Sequence, residues 1–284
     1  MVIKTGWLKY LWNKRGGKIL YQSIRMAKFH KTPFKIILEN IFEVMDEYRA
    51  GFTFPIVASV ALKNTKLMSM ISKSRHEVAS HGFKHVNYKY ISEREQELDI
   101  LKSIWAFKSI KITVRGFRAP YNAYTDYTPK LLEKYNFLWD IGIGYASKYR
   151  GLKKFFRIRI NGKESKFLCI PLSQWSDDAM IDRYCLKNFQ MVKILKKAME
   201  KTAEKHGVVM FDLHPIRIGQ PEYIDVLREI LAYGEHLDGW FPTVTEAVNY
   251  WLSHKKWKGD ASFCCLLTGD IDNFTFTDYL LRLF

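Results

Sequence analysis

Four short segments of the 284-residue chain carry side chains able to do chemistry. Ser80-His81-Gly82-Phe83-Lys84-His85 sets two imidazoles four residues apart. On a helical turn these project to one side, and two neutral imidazoles there can grip one divalent ion. Asp270-Ile271-Asp272 sets two carboxylates two residues apart, so in a strand or tight turn both enter one pocket. Gly116-Phe117-Arg118-Ala119-Pro120-Tyr121 puts a guanidinium at a strand end before a rigid turn, and Asp212-Leu213-His214-Pro215 brings a histidine out of an apolar run. Each segment alone has an ordinary structural explanation: a surface histidine pair, an acidic loop or helix cap, a solvated arginine, a capping or core histidine.

The elements that must position these residues change that weighing. Thr32-Pro33 opens a helix with an N-cap and a proline in its first turn. Ile37, Ile41, Val44, Met45 and Tyr48 follow at helical spacing. Apolar runs predict strands at Phe52 to Val57, Glu77 to Ala79, Ile112 to Phe117, near Phe137 and Phe167, at Val208 to Phe211 and at Phe263 to Leu267. Between them, Ser92-Glu93-Arg94-Glu95 reads as a capping box opening a helix. Thr128-Pro129 opens another, and a basic helix runs from about Lys187 to His206 and stops at Gly207. Strand alternating with helix implies parallel βαβ units. About seven strands predict a single-domain, distorted β/α barrel, with an open doubly wound sheet as the alternative. All four chemical segments then sit at C-terminal strand ends, where the active sites of such folds assemble. Two histidines, two aspartates, an arginine and a further histidine together supply what metal-assisted amide hydrolysis requires.

The composition sets limits. No run approaches the roughly 18 apolar residues of a membrane span. The N-terminus has scattered basic residues and no apolar stretch with a cleavage site, so it reads as mature sequence. Cys169, Cys185, Cys264 and Cys265 form no C-x-x-C pair, and a reduced, cytoplasmic protein is the simplest expectation. The net charge is +16, and Met1 to Leu38 holds nine Lys or Arg and no acid. With Trp7, Tyr10, Trp12 and Tyr21 interleaved, this basic segment could contact an anionic lipid, a diphosphate or nothing at all. No nucleic-acid-binding motif accompanies it. His30, His76, His206, His236 and His254 match no motif, and no role is assigned to them.

The four segments resemble the motifs of the polysaccharide deacetylases (carbohydrate esterase family four, the chitooligosaccharide-deacetylase homology domain). Gly51-Phe52-Thr53-Phe54 is similar to the family's second strand. Ser80 to His85 resembles its histidine motif, Arg118 to Tyr121 its arginine motif, and Leu213-His214-Pro215 its last motif. One feature departs. The family's paired aspartates precede the second strand, whereas here Leu266-Leu267-Thr268-Gly269-Asp270-Ile271-Asp272 has that form and ends the chain. A circular permutation accounts for this, with residues 262–284 as the displaced first strand and helix, 1–30 as a basic extension and 1–284 as one catalytic domain. A strand swapped from a neighbouring chain and a coincidental acidic turn are the competing explanations.

The resemblance implies that Asp272, His81 and His85 bind one divalent ion, zinc first, with cobalt, nickel or manganese as alternatives. It implies Asp270 as general base, Arg118 as the cation that holds Asp270 ionised, the Tyr121 backbone N–H as oxyanion donor and His214 as general acid. Asp177 or Asp178, with Asp178 preferred, would orient His214. The implied reaction removes an N-acetyl or O-acetyl group from a sugar, in a surface-polysaccharide precursor if the protein is cytoplasmic or peripheral to the inner membrane face. Allantoinase-like opening of a cyclic amide and a non-catalytic sugar- or nucleic-acid-binding barrel are the alternatives. The reading requires the tail strand to lie beside the strand that delivers the histidine pair.

Overall fold

The alternation of helix and strand in the sequence is carried into three dimensions by a computed structural model, which describes residues 23–146, 149, 153–173 and 175–283. The basic stretch up to residue 22, with Trp7, Tyr10, Trp12 and Tyr21 and the lipid or diphosphate contact expected of it, lies outside the described residues. α1 spans residues 23–29. Then come α2 (Phe34–Glu47), β1 (Phe52–Ile56), α3 (Ala58–Lys63), α4 (Thr65–Ser72), β2 (Glu77–Ser80), α5 (Glu93–Ser109), β3 (Gly116–Phe117), α6 (Thr128–Lys134) and β4 (Trp139–Asp140). An antiparallel pair, β5 (Arg159–Ile160) and β6 (Lys163–Glu164), precedes β7 (Leu168–Cys169). A π-helical turn at Asp178–Arg183 leads to α7 (Asn188–Ala203), β8 (Val208–Asp212), α8 (Pro215–Ile218), α9 (Ile224–His236) and β9 (Gly239–Trp240). The chain closes with α10 (Val244–His254), β10 (Phe263–Thr268) and α11 (Phe276–Leu283).

The main sheet is parallel throughout, in the order β7-β4-β3-β2-β1-β10-β8, with β9 pairing the first residues of β10. It curls into a distorted barrel. Across the gap between its edge strands, the backbone N–H of Ser173 donates to the Met210 carbonyl, 3.0 Å, and Ser176 bridges Asp212. Every residue of β1, β8 and β10 is buried, as expected of parallel strands covered on both faces. Alternate residues divide the core. Cys264, Leu266, Val208 and Met210 share one apolar cluster with Trp139, Ile170 and the buried face of α10. Phe263, Cys265, Leu267, Val209 and Phe211 pack with Leu195, Met199, Leu227 and Ile230 of the helical layer.

The tail strand is therefore central, and it pairs within its own chain. It does not lie beside the histidine strand: β1 intervenes between β10 and β2. Three further expectations are corrected. Thr32 does not cap α2; its hydroxyl donates to Gln220 Oε1, 2.7 Å, and Pro33 takes the cap position. The strand expected from Ile112 shrinks to Gly116–Phe117: the Ile112 N–H still bonds back to Phe107 O at 2.9 Å, in the turn that ends α5, where Lys111 has φ 62°. Residues 81–87 form a loop rather than a helical turn, with Gly82 at φ 76°. The Ser92 capping box is present. Among the described residues no helix is long and apolar enough to cross a membrane.

Candidate active site

His81, Arg118, His214 and Asp270 leave the barrel one or two residues past a strand, with His85 and Asp272 further along the same loops, and the backbone at the strand ends still bonds to the neighbouring strand. The His81 N–H donates to Ile56 O (3.0 Å), Arg118 N–H to Ser80 O (3.0 Å) and Leu213 N–H to Thr268 O (2.6 Å). The aspartate pair is held in the same way. Ile271 N–H donates to Pro55 O (2.8 Å), and Ile271 O accepts from Val57 N–H (3.2 Å). Ile271 is buried in the core, so the alternation of extended backbone sends Asp270 and Asp272 together to the other side, into the site. Gly269 permits this path, since a Cβ there would lie 2.0 Å from Leu213 O.

The imidazoles and carboxylates meet over the end of β1. His81 Nε2 lies 3.5 Å from Asp270 Oδ2 and 3.5 Å from Asp272 Oδ1, and His85 Nε2 lies 3.3 Å from Asp272 Oδ1. His81 Nδ1–H donates to the Arg118 carbonyl, 2.8 Å. That bond fixes the tautomer and leaves the lone pair on Nε2, which is buried without a hydrogen bond. Burial holds the ring neutral, with a pKa lowered to about 4 against the attraction of Asp272. A buried lone pair facing two carboxylates is what a cation would satisfy. The donor atoms of His81, His85 and Asp272 lie within 4.8 Å of one another. Separations of 3.3–3.5 Å are about the edge of a tetrahedron whose centre is ~2.1 Å from each donor, the span of a zinc site. The residues fit the group.

Asp99 shapes the histidine loop from below. Its carboxylate accepts from the Phe83 and Lys84 N–H groups, both 2.9 Å, and from the Tyr88 hydroxyl, 2.8 Å. Gly82 passes over it with no room for a side chain: a Cβ there would lie 2.6 Å from Asp99 Oδ2. The Tyr121 ring packs edge-on against His85, centroids 4.4 Å apart, and Tyr121 itself sits at φ 60° in the turn Pro120–Asn122.

Arg118 binds two acids. It donates to Asp212 through both Nη atoms (2.8 and 2.7 Å), to Asp270 Oδ1 through Nη1 (2.9 Å), and to Asn122 Oδ1 through Nε (3.0 Å). Arg118 thus serves Asp212 as well as Asp270, and Asp212 is the site residue that the motif reading left without a role. Burial pushes Asp212 up, but Arg118 and His214 outweigh it and hold the carboxyl down at about 2. For Asp270, burial outweighs Arg118, and Asp212 and Asp272 add repulsion; its carboxyl is pushed up to about 7.

On the opposite wall, His214 Nδ1 meets Asp177 Oδ1 at 2.6 Å. Burial disfavours the imidazolium, but Asp212 and Asp177 prevail and raise the His214 pKa to about 10. Asp177, fully buried, carries this bond; Asp178 is exposed beside it, which corrects the preference for Asp178. Only the sequence position of Asp177 next to Trp175-Ser176 marked it beforehand.

Residues 29–138, which include His81, His85 and Arg118, match the family model for polysaccharide deacetylase. No curated protein matches the chain. A putative polysaccharide deacetylase from Mycobacterium smegmatis shares the fold with a TM-score of 0.70 at 17% identity, over 88% of this chain and 87% of that one. A PuuE allantoinase does so with a TM-score of 0.68 at 18% identity, over 82% and 77%. A CE4 family pseudoenzyme from Bacillus anthracis shares it with a TM-score of 0.54 at 14% identity, over 82% and 66%. Residues 29–138 thus resemble a polysaccharide deacetylase domain, and the chain shares its barrel fold with these structures.

Proposed function

We propose that this chain is a metal-dependent hydrolase that removes an acetyl group from an N- or O-acetylated sugar. The observation that carries the reading is the buried, unbonded Nε2 lone pair of His81 facing the carboxylates of Asp270 and Asp272 at 3.5 Å. His81, His85 and Asp272 would hold one divalent ion, zinc by the imidazole and carboxylate donor set. When bound, the ion supplies Lewis acidity to the acetyl carbonyl and to the attacking water.

The protein's own groups handle the protons. Asp270 takes a proton from the attacking water. Its carboxyl, raised to about 7 by burial, binds that proton far better than an ordinary carboxylate, which suits a general base. Arg118 aims it through the 2.9 Å bond, and Asp212 balances the guanidinium charge. The Tyr121 backbone N–H is the oxyanion donor in this reading. His214 is the acid. Held as imidazolium by Asp212 and Asp177, it delivers a proton to the sugar nitrogen or oxygen as the bond to the acetyl carbon breaks. Water is consumed; acetate and the free amine or hydroxyl leave.

An acetylated sugar in a surface-polysaccharide precursor is the substrate class we favour, in the cytoplasm. All four cysteines are free in the fold, which supports a reducing compartment. The chain order, with β10 seated between β1 and β8, supports reading the tail as a circularly permuted first strand. Acetate release from a panel of acetylated sugars, with and without chelator, tests the function. Release that stops with chelator and returns with zinc is the expected result. Opening of allantoin instead of acetate release would move the assignment to a cyclic-amide hydrolase, and inactivity of the zinc-loaded protein on every substrate would favour a non-catalytic barrel.

A further inference from the structure

His30 belongs to no motif, yet the fold brings it to the loop that carries the tail acids. It lies just past α1, and its Nε2–H donates to Asn273 Oδ1 at 2.7 Å, across 243 residues of sequence. Asn273 is buried and directly follows Asp272. The segment on either side of His30 is tied down on both flanks of the site. Arg25 pairs with Asp182 at 2.5 Å, in the π-helical turn that begins beside Asp177, and Arg217 shares that carboxylate at 2.8 Å. Thr32 bonds Gln220, and the Phe29 carbonyl accepts from Gln220 Nε2, 2.9 Å. Ser23 meets the Tyr279 hydroxyl at 3.3 Å.

The loop itself needs such a support. Beyond Ile271 the tail leaves the sheet, and Phe274 and Thr275 N–H bond further along to Asp278 Oδ2, 3.3 and 3.1 Å. Asp272 and Asn273 lie between those two anchorages. A side chain gripped there fixes the direction in which Asp272 leaves the backbone, and groups that orient a ligand in this way set ion affinity. Burial keeps His30 below its ordinary pKa, with Asn273 and Asp278 pulling the other way.

We propose that His30 is a positioning residue: through Asn273 it holds Asp272 in the direction that the ion site requires, so that a residue before the barrel sets affinity at its far end. This rests on the proposed function above, and the test separates the two. Zinc is titrated calorimetrically into the full-length wild-type chain and into His30→Ala, His30→Gln and Thr32→Val, with urea unfolding of each as a check on folding. The inference predicts that His30→Ala weakens zinc binding roughly tenfold, while His30→Gln, which keeps an N–H donor, recovers most of the loss. Thr32→Val, which loosens the same segment without touching Asn273, binds like wild type. Wild-type affinity in His30→Ala overturns the inference, as does equal weakening in Thr32→Val or no recovery in His30→Gln. A wild-type chain that takes up no zinc overturns the ion-site reading itself, and this inference with it.

Discussion

Arg118 grips Asp212 with both Nη atoms, at 2.8 and 2.7 Å, in a site from which water is largely excluded. The pair is the electrostatic hinge of the pocket, because the same guanidinium reaches Asp270 and the same carboxylate faces His214. Without Asp212, Asp270 still holds Nη1 of Arg118 but Nη2 loses its acceptor, and a buried donor left unsatisfied costs about 1–3 kcal/mol. Asp212→Leu should lower the unfolding free energy in urea by about that amount. A loss below ~1 kcal/mol would mean that solvent reaches the pair and that it does not organise the site.

Asp270→Asn keeps the shape of the side chain but cannot take a proton. Turnover should fall by roughly 10²–10⁴, while zinc content stays near that of the wild type. Retained turnover with zinc bound would remove Asp270 from the proton path.

The pH profile follows from the same groups. Asp270 must be ionised and His214 protonated, so kcat/KM should rise with pH through a limb at or below about 7 and fall through a limb near 10. A bound cation beside Asp270 moves the first limb down, never up. Asp177→Asn removes an anion from His214 and should shift the upper limb to lower pH. An upper limb that does not move in that variant would detach it from His214.

Stability should carry the same signature. The His214 pKa is raised from 6.5 to about 10 in the fold, so the native state binds its proton more tightly than the unfolded chain does. Its stabilisation is complete below pH ~6.5 and is lost as pH rises through ~10. Urea unfolding of the chelated wild type should therefore weaken across that window, and Asp177→Asn should weaken less steeply. Parallel slopes would contradict the assignment.

The strand-end positions of His81, His85, Arg118, His214 and the Asp270-Asp272 pair were legible in the sequence, because apolar runs and a period of two decide which side chains leave a sheet together. The histidine loop is not the helical turn that its spacing predicts. Nothing in His-x-x-x-His itself reveals that Asp99, on α5, would draw the Phe83 and Lys84 N–H groups out of helical register. Asp212 stood in plain view beside His214, but its role depends on a guanidinium 94 residues earlier. The choice between Asp177 and Asp178 turns on which of the two the start of a π-helical turn buries against His214, and the bond from His30 to Asn273 spans nearly the whole chain. Local patterns announce which residues can act; partners distant in sequence become legible only when the barrel closes.

Asp99→Ala tests one such distant partner. Loss of two hydrogen bonds to the loop between the histidines, and of a third to Tyr88 just past it, should weaken zinc binding by roughly 10–100-fold with little change in zinc stoichiometry at saturation. Unchanged affinity would show that the loop keeps its shape without that carboxylate.

The central claim is that acids from the end of the chain and imidazoles from its middle close around one ion, and zinc stoichiometry by calorimetry with metal analysis tests it most directly. The wild type should bind one zinc per chain, and both Asp272→Ala and His81→Ala should lose that site. An Asp272→Ala protein that binds one zinc with wild-type affinity would contradict the account, because the tail would then have no part in the centre.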